Sequence, residues 1–292
     1  MDAVITYVDG MDPVWQSAYA EYTNKPVLEK RYRDWGTLKY LLRGIEENLP
    51  FVKNVYMVVC SQTQVPSWVD KENVRIVLHE DIIPAEFCPT FNSTTIEMFL
   101  HKIEGLDEQF LYFNDDMFPM MLCDASDFFE NGIAKIGMRA TLLSTGLYKK
   151  HCRNSDRLAR KAAGKSASPI FMRPQHICSP MLRSECIAAY DKSEDVILKS
   201  VSRLRESYNL NQYFFLDYMY HRNRLINKNI SNKHFSTAVA TAEKICSFIR
   251  KPYRSFCCIN DVQMSEEKFV FLRDEILSAF EDRFPRKSRF EI

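Results

Sequence analysis

Two adjacent carboxylates, Asp115 and Asp116, follow an apolar run and are the clearest sign of chemistry in this chain. Residues 110–113 are predicted to form a buried strand, after which Asn114 precedes the two acids. Strand side chains alternate between faces, so both carboxylates can serve one site only if the chain turns there into a loop. Neighbouring carboxylates repel each other unless a cation or strong donors balance them, and oxygen ligands suit Mg²⁺ or Mn²⁺ carrying a diphosphate. The segment predicts a metal–nucleotide site, with a solvated Asp-Asp turn that closes a hairpin as the alternative.

The elements that would position these acids alternate between strand-like and helix-like runs. Residues 4–8, 55–59 and 74–78 are predicted strands. Helical spacing begins after Asp34, a candidate N-cap, and Thr94 with Glu97 has the spacing of a capping box before the next helix. Helical patterns strengthen after residue 170 and end in the apolar stripe Phe269, Leu272, Ile276 and Phe280. The alternation predicts an α/β fold with a Rossmann-like sheet, flanking helices and a more helical second half.

Bulk composition excludes several classes of protein. The 292 residues are 46% hydrophobic, which is ample for one large α/β domain or two small ones. A formal net charge of +1 gives no global field that would attract nucleic acid. Nine cysteines without a C-x-x-C spacing fit neither a zinc ribbon nor a disulfide framework. The chain opens as a strand rather than a signal peptide and has no apolar stretch of about 18 residues, so a cytoplasmic location is expected.

Two basic segments allow contact with anions. One, residues 149–167, is predicted either as a mobile lid over an anionic substrate or, more in keeping with most charge runs, as a solvated loop or exposed helix face. Its charges are Lys149, Lys150, Arg153, Arg157, Arg160, Lys161 and Lys165 against Asp156. The other, residues 283–290, alternates basic and apolar groups, a pattern compatible with weak adsorption to an anionic membrane. Peripheral contact is thus the most membrane association that the sequence indicates.

An ordered set of polar segments resembles the Stealth family, which includes bacterial capsular polysaccharide phosphotransferases and the animal enzyme that puts N-acetylglucosamine-1-phosphate on lysosomal glycoproteins. The segments are Val8-Asp9-Gly10-Met11-Asp12-Pro13-Val14-Trp15, Arg31-Tyr32-Arg33-Asp34, Pro66-Ser67-Trp68, His79-Glu80-Asp81, Pro89-Thr90-Phe91-Asn92-Ser93, Ile96-Glu97, His101-Lys102-Ile103, Tyr112-Phe113-Asn114-Asp115-Asp116-Met117-Phe118, His176-Ile177-Cys178-Ser179-Pro180, Arg205, Asn211-Gln212-Tyr213 and Cys258-Ile259-Asn260-Asp261. The chain departs from the family pattern at Tyr7, where Trp is usual, at Trp35, where Asn is usual, and at Thr63, where Gly is expected before Gln64.

The resemblance implies transfer of a hexose-1-phosphate, such as an N-acetylhexosamine-1-phosphate, from a nucleotide sugar to a hydroxyl of a glycan. A phosphodiester forms and a nucleoside monophosphate leaves, in the synthesis of a capsular or other cell-surface polysaccharide. The alternative is a metal-dependent glycosyltransferase that releases a nucleoside diphosphate. Residues 1–292 are then a single catalytic domain with a nucleotide-binding α/β half (1–122), a basic insert or lid (123–169) and a mostly helical half (170–292) that completes the site.

The resemblance also implies roles for individual residues. His176 would be the general base, Arg205 the fixed charge on the phosphoryl group, Asn114 a residue that orients the acids, and Asp116 a second candidate base. Mg²⁺ or Mn²⁺ would be held by Asp115 and Asp116, with Asn260 and Asp261 closing the pocket or adding a ligand. The nucleotide and sugar would be lined by Asp9, Gly10, Asp12, Arg33, Asp34 and Asn92, although Asp12 is nearly as well explained as a helix-start residue.

The expected partners follow from this chemistry. They are a nucleotide sugar, with a UDP-sugar as the first choice, and a glycan or lipid-linked glycan acceptor, but no nucleic acid. A lipid-linked acceptor would be met at the inner face of the membrane. His79 and His101 are interpreted as structural residues, and Cys178 and Cys258 as small buried hydrophobic residues.

Overall fold

The computed structural model describes residues 1–23 and 32–292, so Arg31 of the family-like segments lies outside the described residues. The helices of this part of the chain are α1 (Pro13–Thr23), α2 (Leu38–Asn48), α3 (His79–Ile82), α4 (Ser93–Glu97), α5 (Leu147–Ala162), α6 (Arg183–Asp191), α7 (Glu194–Ser200), α8 (Tyr213–His221), α9 (Ala242–Arg250) and α10 (Glu266–Arg283). The strands are β1 (Asp2–Thr6), β2 (Val55–Val59), β3 (Val74–Leu78), β4 (Gln109–Asn114), β5 (Met117–Pro119), β6 (Phe129–Glu130), β7 (Ile133–Ile136), β8 (Met138–Thr141), β9 (Phe171–Pro174), β10 (Ser179–Leu182), β11 (Leu225–Asn227), β12 (Asn232–Ser236) and β13 (Phe256–Asn260).

The fold is mixed α/β, with a parallel sheet and flanking helices, as the sequence predicts. The main sheet has the strand order β10-β4-β1-β2-β3, and β10 joins it antiparallel to β4. Strand β2 is buried along its whole length, which is typical of a parallel strand covered on both faces. Smaller sheets have the orders β11-β7-β6, β12-β13-β5 and β8-β9.

The chain forms two compact units that alternate along the sequence. Unit 1 comprises residues 1–4, 77–112 and 126–230, and unit 2 comprises residues 5–76, 113–125 and 231–292. Unit 1 contains α3 to α8 with the β11-β7-β6 and β8-β9 sheets, and unit 2 contains α1, α2, α9, α10 and the β12-β13-β5 sheet. Because each unit is assembled from three separate stretches, neither corresponds to one continuous half of the chain.

The strongest sequence patterns coincide with observed elements. The runs 55–59 and 74–78 are β2 and β3, and the four residues of the last apolar stripe are all buried on α10. The helix expected after Asp34 is α2, but Thr37 is its N-cap, and the Asp34 carboxylate instead accepts a hydrogen bond from the Gly36 amide at 2.8 Å. The residues predicted to be structural or small and buried, His79, His101, Cys178 and Cys258, are all buried.

The two basic segments are both parts of the packed fold. Residues 147–162 form α5, whose apolar side packs on α8 within unit 1 and whose charged face is exposed, and the lid role stays a prediction. The tail is also fixed, because Phe284 and Phe290 are each only 1% exposed. Arg43 binds the Glu291 carboxylate through two hydrogen bonds of 2.8 Å. The two phenylalanines of the tail segment predicted to adsorb to a membrane are therefore buried in unit 2, whereas Arg286, Lys287 and Arg289 are exposed.

Among the described residues, no helix combines the length and the apolar character needed to cross a bilayer.

Candidate active site

Asp115 and Asp116 occupy the turn between β4 and β5 in unit 2. Strand β5 leaves the main sheet and pairs antiparallel with β13, with Met117 opposite Cys258. The Asp-Asp turn therefore does not close a hairpin, and that alternative is wrong. Both acids are only partly exposed, so the turn holds two carboxylates at the end of a buried strand rather than in open water.

Carboxylates crowd together around this turn. Burial, together with the charges of Asp116 and Asp34, raises the pKa of Asp115 to about 7. Burial also raises the pKa of Asp34, and the neighbouring Asp9 adds to that rise. The Tyr7 hydroxyl donates a hydrogen bond of 3.2 Å to Asp34. Burial and then the charges of Asp34, Asp9 and Asp115 raise the pKa of Tyr7 as well.

Asp116 has one carboxylate oxygen engaged and one without a partner. The Cys258 thiol donates to Oδ2 over 3.4 Å, and burial, with Asp116 next, raises the pKa of that thiol. The other oxygen, Oδ1, is buried and accepts no hydrogen bond from the residues that the structure describes. A buried anionic oxygen without a donor is costly unless a cation or ligand supplies the missing interaction. Asp116 is thus suited to bind a positive group.

The loop after β1 is fixed by the buried side chain of Gln64. Its amide oxygen accepts from the Asp9 amide at 2.6 Å, and its amide nitrogen donates to the Asp9 carbonyl at 3.0 Å and to the Asp12 carboxylate at 2.8 Å. Gly10 is required in this loop, since a Cβ there would overlap the carbonyl of Tyr32. The loop thereby presents the Asp9 carboxylate towards Tyr7 and Asp34.

The Asp12 carboxylate accepts hydrogen bonds from one backbone amide and from the side chains of Thr63 and Gln64. It accepts from the Val14 amide at the start of α1 at 3.1 Å, and its second oxygen accepts from the Thr63 hydroxyl at 2.7 Å. These donors lower its pKa despite the opposing effect of desolvation. The helix-start interpretation of Asp12 accounts for the contact with Val14, and Thr63 makes a contact with Asp12 that the expected glycine could not make.

A second polar group of unit 2 joins Arg33, Trp35 and Asp261. The Trp35 indole donates to Asp261 over 3.2 Å, and an Arg33 guanidinium nitrogen lies 3.9 Å from the same carboxylate oxygen. Arg33 also stacks over the Phe269 ring at 4.2 Å. The other Asp261 oxygen, Oδ1, is buried and has no hydrogen-bond partner among the described residues. Asn260, which precedes it at the end of β13, accepts hydrogen bonds from Thr237 through its carbonyl.

In unit 1, His176 follows β9 and contacts two tyrosines. Its Nδ1 lies 3.0 Å from the Tyr213 hydroxyl, which in turn lies 3.2 Å from the Tyr148 hydroxyl. If Nδ1–H donates to Tyr213, the Nε2 lone pair is the one that can accept a proton. Burial raises the pKa of Tyr213, so its hydroxyl stays neutral and can hold this geometry across the physiological range.

Arg205 lies on the exposed surface of unit 1 but is anchored. Its guanidinium donates to the Ser93 hydroxyl over 2.6 Å, and its charge also acts on Glu97. Burial raises the pKa of Glu97 to about 7, although Arg205 and the Gln212 amide both oppose the rise. Arg205 thus offers an accessible, positioned cation of the kind that recognises phosphate oxygens.

Asn92 belongs to a buried network of hydrogen bonds, and the substrate-binding role predicted for it stays a prediction. Its side chain is fully buried, caps α4 by accepting from the Thr94 amide, and donates to the carbonyls of Ser202 and Leu204. It also reaches the Asn209 side chain at 3.1 Å. Asn92 is therefore a positioning residue for the loop that carries Arg205. The helix start is Asn92 itself, not the Thr94 capping box.

Comparison with known proteins assigns the chain to a family. Residues 31–136 match the family model described as Stealth protein CR2, conserved region 2. Over the full chain, the sequence is 28% identical to a capsular polysaccharide phosphotransferase WcwK of Streptococcus pneumoniae and 29% identical to the receptor polysaccharide phosphotransferase WefC of Streptococcus oralis, with 98% and 99% of those proteins covered. The chain belongs to the Stealth family. A capsular polysaccharide phosphotransferase of Actinobacillus suis is 35% identical over 74% of this chain and 62% of that protein.

Stealth proteins are phosphotransferases, and this chain is an enzyme of that class. Among solved structures, the galactosyltransferase LgtC in complex with donor and acceptor sugar analogues aligns over 94% of this chain and 95% of LgtC, at 10% identity and a TM-score of 0.40.

Several residues of this Stealth protein have contacts that the sequence did not assign. Tyr7, Gln64 and Tyr213 stand inside or beside family-like segments, yet no spacing rule indicates what their side chains touch. Each side chain makes a hydrogen-bond contact with a residue far away in sequence: Tyr7 with Asp34, Gln64 with Asp9, and Tyr213 with His176.

Proposed function

We propose that this Stealth phosphotransferase moves a sugar-1-phosphate from a nucleotide sugar, a UDP-sugar first, to a hydroxyl of a glycan acceptor. The products are a phosphodiester-linked glycan and a nucleoside monophosphate, within the synthesis of a capsular or other cell-surface polysaccharide. The two streptococcal relatives, which the match covers over nearly their whole lengths, are polysaccharide phosphotransferases by name, and this supports the polysaccharide context. An assay with a panel of labelled nucleotide sugars addresses the donor sugar, the nucleobase and the acceptor linkage.

The observation that carries the proposal is the crowd of carboxylates at the Asp115-Asp116 turn. Burial raises the pKa values of Asp34, Tyr7 and Asp115, and neighbouring carboxylates add to each rise: Asp9 acts on Asp34, Asp116 and Asp34 act on Asp115, and Asp34, Asp9 and Asp115 act on Tyr7. Such a cluster is electrostatically unfavourable by itself, because each charge is desolvated and repelled by the others. A cation in this place removes that penalty, so the cluster fits a divalent ion together with a diphosphate.

The donor set fits a hard metal ion. Asp115 and Asp116 offer carboxylate oxygens, and the unpartnered Oδ1 of Asp116 is the atom best explained by a bound cation. Mg²⁺ or Mn²⁺ held there would neutralise charge on the diphosphate and favour departure of the nucleoside monophosphate. Asp261, with its own unpartnered oxygen, is the second candidate ligand of unit 2, and Asn114 would orient the turn.

His176 is proposed as the general base. Imidazole is the most common general base of enzymes, and the contact of Nδ1 with the Tyr213 hydroxyl holds the ring in place. In the proposed step, Nε2 takes the proton of the acceptor hydroxyl while the hydroxyl oxygen forms a bond to the phosphorus that bears the sugar. The bond between this phosphorus and the bridging oxygen breaks, and the electron pair leaves with the nucleoside monophosphate.

Arg205 is proposed to bind the phosphoryl oxygens on which charge grows during this step. The hydrogen bond to Ser93 restricts its guanidinium, while its exposure leaves donors accessible to a ligand. Arg33 and Asp34 are proposed to contact the nucleotide or sugar, since Asp34 belongs to the carboxylate cluster and Arg33, its neighbour in sequence, lies 3.9 Å from Asp261.

The decisive experiment follows the β-phosphate of the donor. The protein is incubated with Mg²⁺, a glycan acceptor and a panel of UDP-, GDP- and CDP-sugars labelled with ³²P at the β-phosphate. Phosphoryl transfer places the label in the glycan and releases a nucleoside monophosphate, whereas a glycosyltransferase leaves the label in a nucleoside diphosphate. Mass spectrometry of the released nucleotide gives the same answer independently.

His176→Ala provides the matched variant for this assay. It is expected to lower turnover by about a hundredfold or more and to leave donor affinity nearly unchanged, because a base acts in the transition state rather than in donor binding. His234, an exposed histidine on β12, is the control position. Equal loss of turnover and donor affinity in His176→Ala would assign His176 to binding or folding, and release of a nucleoside diphosphate would refute phosphoryl transfer.

A further inference from the structure

Positive charge is concentrated in one stretch of unit 1. Residues 139–170 contain eight basic residues and one acidic residue, although the whole chain has a formal net charge of only +1. The acidic residue, Asp156, is buried and paired with His221 and Arg160, so it does not offset the exposed charges. This stretch therefore presents a strongly cationic surface on an otherwise nearly neutral protein.

Three aliphatic side chains project into solvent from the same stretch. Leu142 and Leu143 follow β8 and are 56% and 68% exposed, and Ile170 precedes β9 and is 45% exposed. The β8-β9 ladder ends with Thr141 opposite Phe171, so Leu142 and Ile170 are the next pair outward from that ladder. The three side chains thus belong to one end of a two-stranded sheet and are not scattered singly over the surface.

The basic residues of α5 lie beside this apolar end. Lys150, Arg157 and Lys161 are exposed, and their spacing of seven and four residues places them in one stripe along the helix. Arg153, one turn from Lys150, donates to the Ser144 hydroxyl and to the Pro169 carbonyl, each at 3.1 Å. Since Ser144 and Pro169 adjoin the exposed leucines and Ile170 in sequence, Arg153 joins the basic stripe to the apolar end.

We propose that this surface, called here the Leu142 face (Leu142, Leu143, Ile170, Lys150, Arg157 and Lys161), docks on an anionic phospholipid bilayer. Aliphatic side chains can enter the boundary between headgroups and acyl chains while the basic stripe meets the negative surface potential. A nucleic acid would use the charges but leaves the three aliphatic groups in water. An apolar protein groove would use the aliphatic groups but not the stripe.

Membrane docking does not depend on the proposed function, but it gives that function a place. If the acceptor glycan is lipid-linked, an enzyme docked through the Leu142 face would meet it at the bilayer surface. The membrane contact proposed for the Leu142 face takes the place of the one predicted for the tail, because the phenylalanines of the tail are buried.

Cosedimentation with vesicles tests the proposal. The full chain is mixed with neutral phosphatidylcholine vesicles, or with vesicles that also contain phosphatidylglycerol, at low and high salt. Binding is expected only to the anionic vesicles and is expected to weaken with salt. Replacing Leu142 and Leu143 together by serine should lower partitioning by at least about tenfold. Replacing Lys150, Arg157 and Lys161 together by glutamine should lower it by about a hundredfold.

The controls are matched in residue type and exposure. Leu122→Ser removes a leucine that is 71% exposed in unit 2, and Lys71→Gln with Lys199→Gln and Lys251→Gln removes three exposed charges elsewhere. Both controls should retain vesicle binding, and circular dichroism should show that all variants are folded. Equal binding to neutral and anionic vesicles, or equal loss in the controls, would overturn the proposal.

Two further measurements separate the possible outcomes. Sedimentation equilibrium tests for self-association. If the wild type self-associates but does not bind vesicles, and the double serine variant no longer self-associates, the Leu142 face binds a second copy of the chain and docking on membranes is refuted. Turnover with a lipid-free acceptor should be unchanged in the serine variant. If the serine variant loses vesicle binding but keeps its turnover with the lipid-free acceptor, membrane docking through the Leu142 face is supported. If the wild type binds vesicles but releases no nucleotide, the proposed function is contradicted and docking is not.

Discussion

Burial, and after it the charges of Asp116 and Asp34, makes the negative charge of the Asp115 carboxyl group unfavourable. Its pKa in the folded protein is about 7, compared with 3.8 for the free side chain. The folded protein therefore holds this proton more tightly than the unfolded chain, and stability falls as pH rises from about 4 to 7. Above pH 7 the full penalty of the charged cluster is present.

Replacing Asp115 by asparagine should remove that penalty. Without metal at pH 8, Asp115→Asn is expected to be more stable than the wild type by about 2 to 4 kcal/mol, and this advantage should disappear near pH 4. Mg²⁺ should raise the melting temperature of the wild type at pH 8 but not that of the variant. Thermal melts across pH, with the exposed Asp124→Asn as control, check both effects. A variant that is less stable than the wild type at pH 8 would contradict the electrostatic account.

Tyr213 is expected to act through His176. Tyr213→Phe removes the hydroxyl that lies 3.0 Å from Nδ1, so the imidazole loses the contact that fixes its orientation. We expect kcat to fall by about tenfold with little change in KM, and the pH dependence of kcat to shift, because the base remains present but is held less well. Tyr148→Phe, which keeps the direct contact, should have a smaller effect. A raised KM with an unchanged pH profile would indicate a binding role instead.

Helix α4 and the loop 201–209 depend on each other through one buried side chain. Asn92 caps the helix and also donates to two carbonyls of the loop that carries Arg205. Asn92→Ala removes the cap and leaves those buried carbonyls without a donor, so the unfolding free energy should fall by about 2 to 4 kcal/mol. Urea unfolding measures this change. Turnover should fall as well, since Arg205 loses its support.

The matched variant for the loop is Ser93→Ala, which removes the hydroxyl bound by Arg205 but leaves the Asn92 contacts in place. It should lower turnover with little change in stability. If Asn92→Ala instead weakened donor binding while stability stayed the same, the substrate-binding role predicted for Asn92 would be supported over the structural one.

The sequence predicts where helices and strands lie better than it predicts which distant segments they contact. Periodicity located β2, β3 and the apolar stripe of α10, because burial of one face leaves a regular pattern. It could not show that β5 pairs with β13, about 140 residues later, or that Asn92 meets a loop 110 residues away. The same limit applies to the tail, whose alternating basic and apolar residues are as compatible with a buried clasp as with a membrane surface.

The distribution of charge along the chain and the division of the candidate site residues between the two units are properties of the whole molecule. A net charge of +1 hides the cationic stretch 139–170, so salt should affect vesicle binding strongly although composition alone predicts little electrostatic attraction. The candidate site residues are likewise distributed over both units: Asp9, Asp34, Asp115 and Asp116 belong to unit 2, and His176 and Arg205 belong to unit 1. The roles proposed for these residues are therefore divided between the two units.

The alternation of the two units along the chain predicts that no terminal half folds alone. A fragment of residues 1–122 contains β5 but lacks its partner β13, and contains β4 but lacks its partner β10. It also lacks Phe280, which stacks on Tyr40 and packs against Phe118 in the core of unit 2. We expect this fragment to show no cooperative thermal transition and no near-ultraviolet circular dichroism, whereas the full chain shows both, because too little apolar surface is buried to offset the lost conformational entropy. Coexpression with residues 123–292 should restore the transition. A fragment that melts cooperatively by itself would instead favour residues 1–122 as an autonomous nucleotide-binding half.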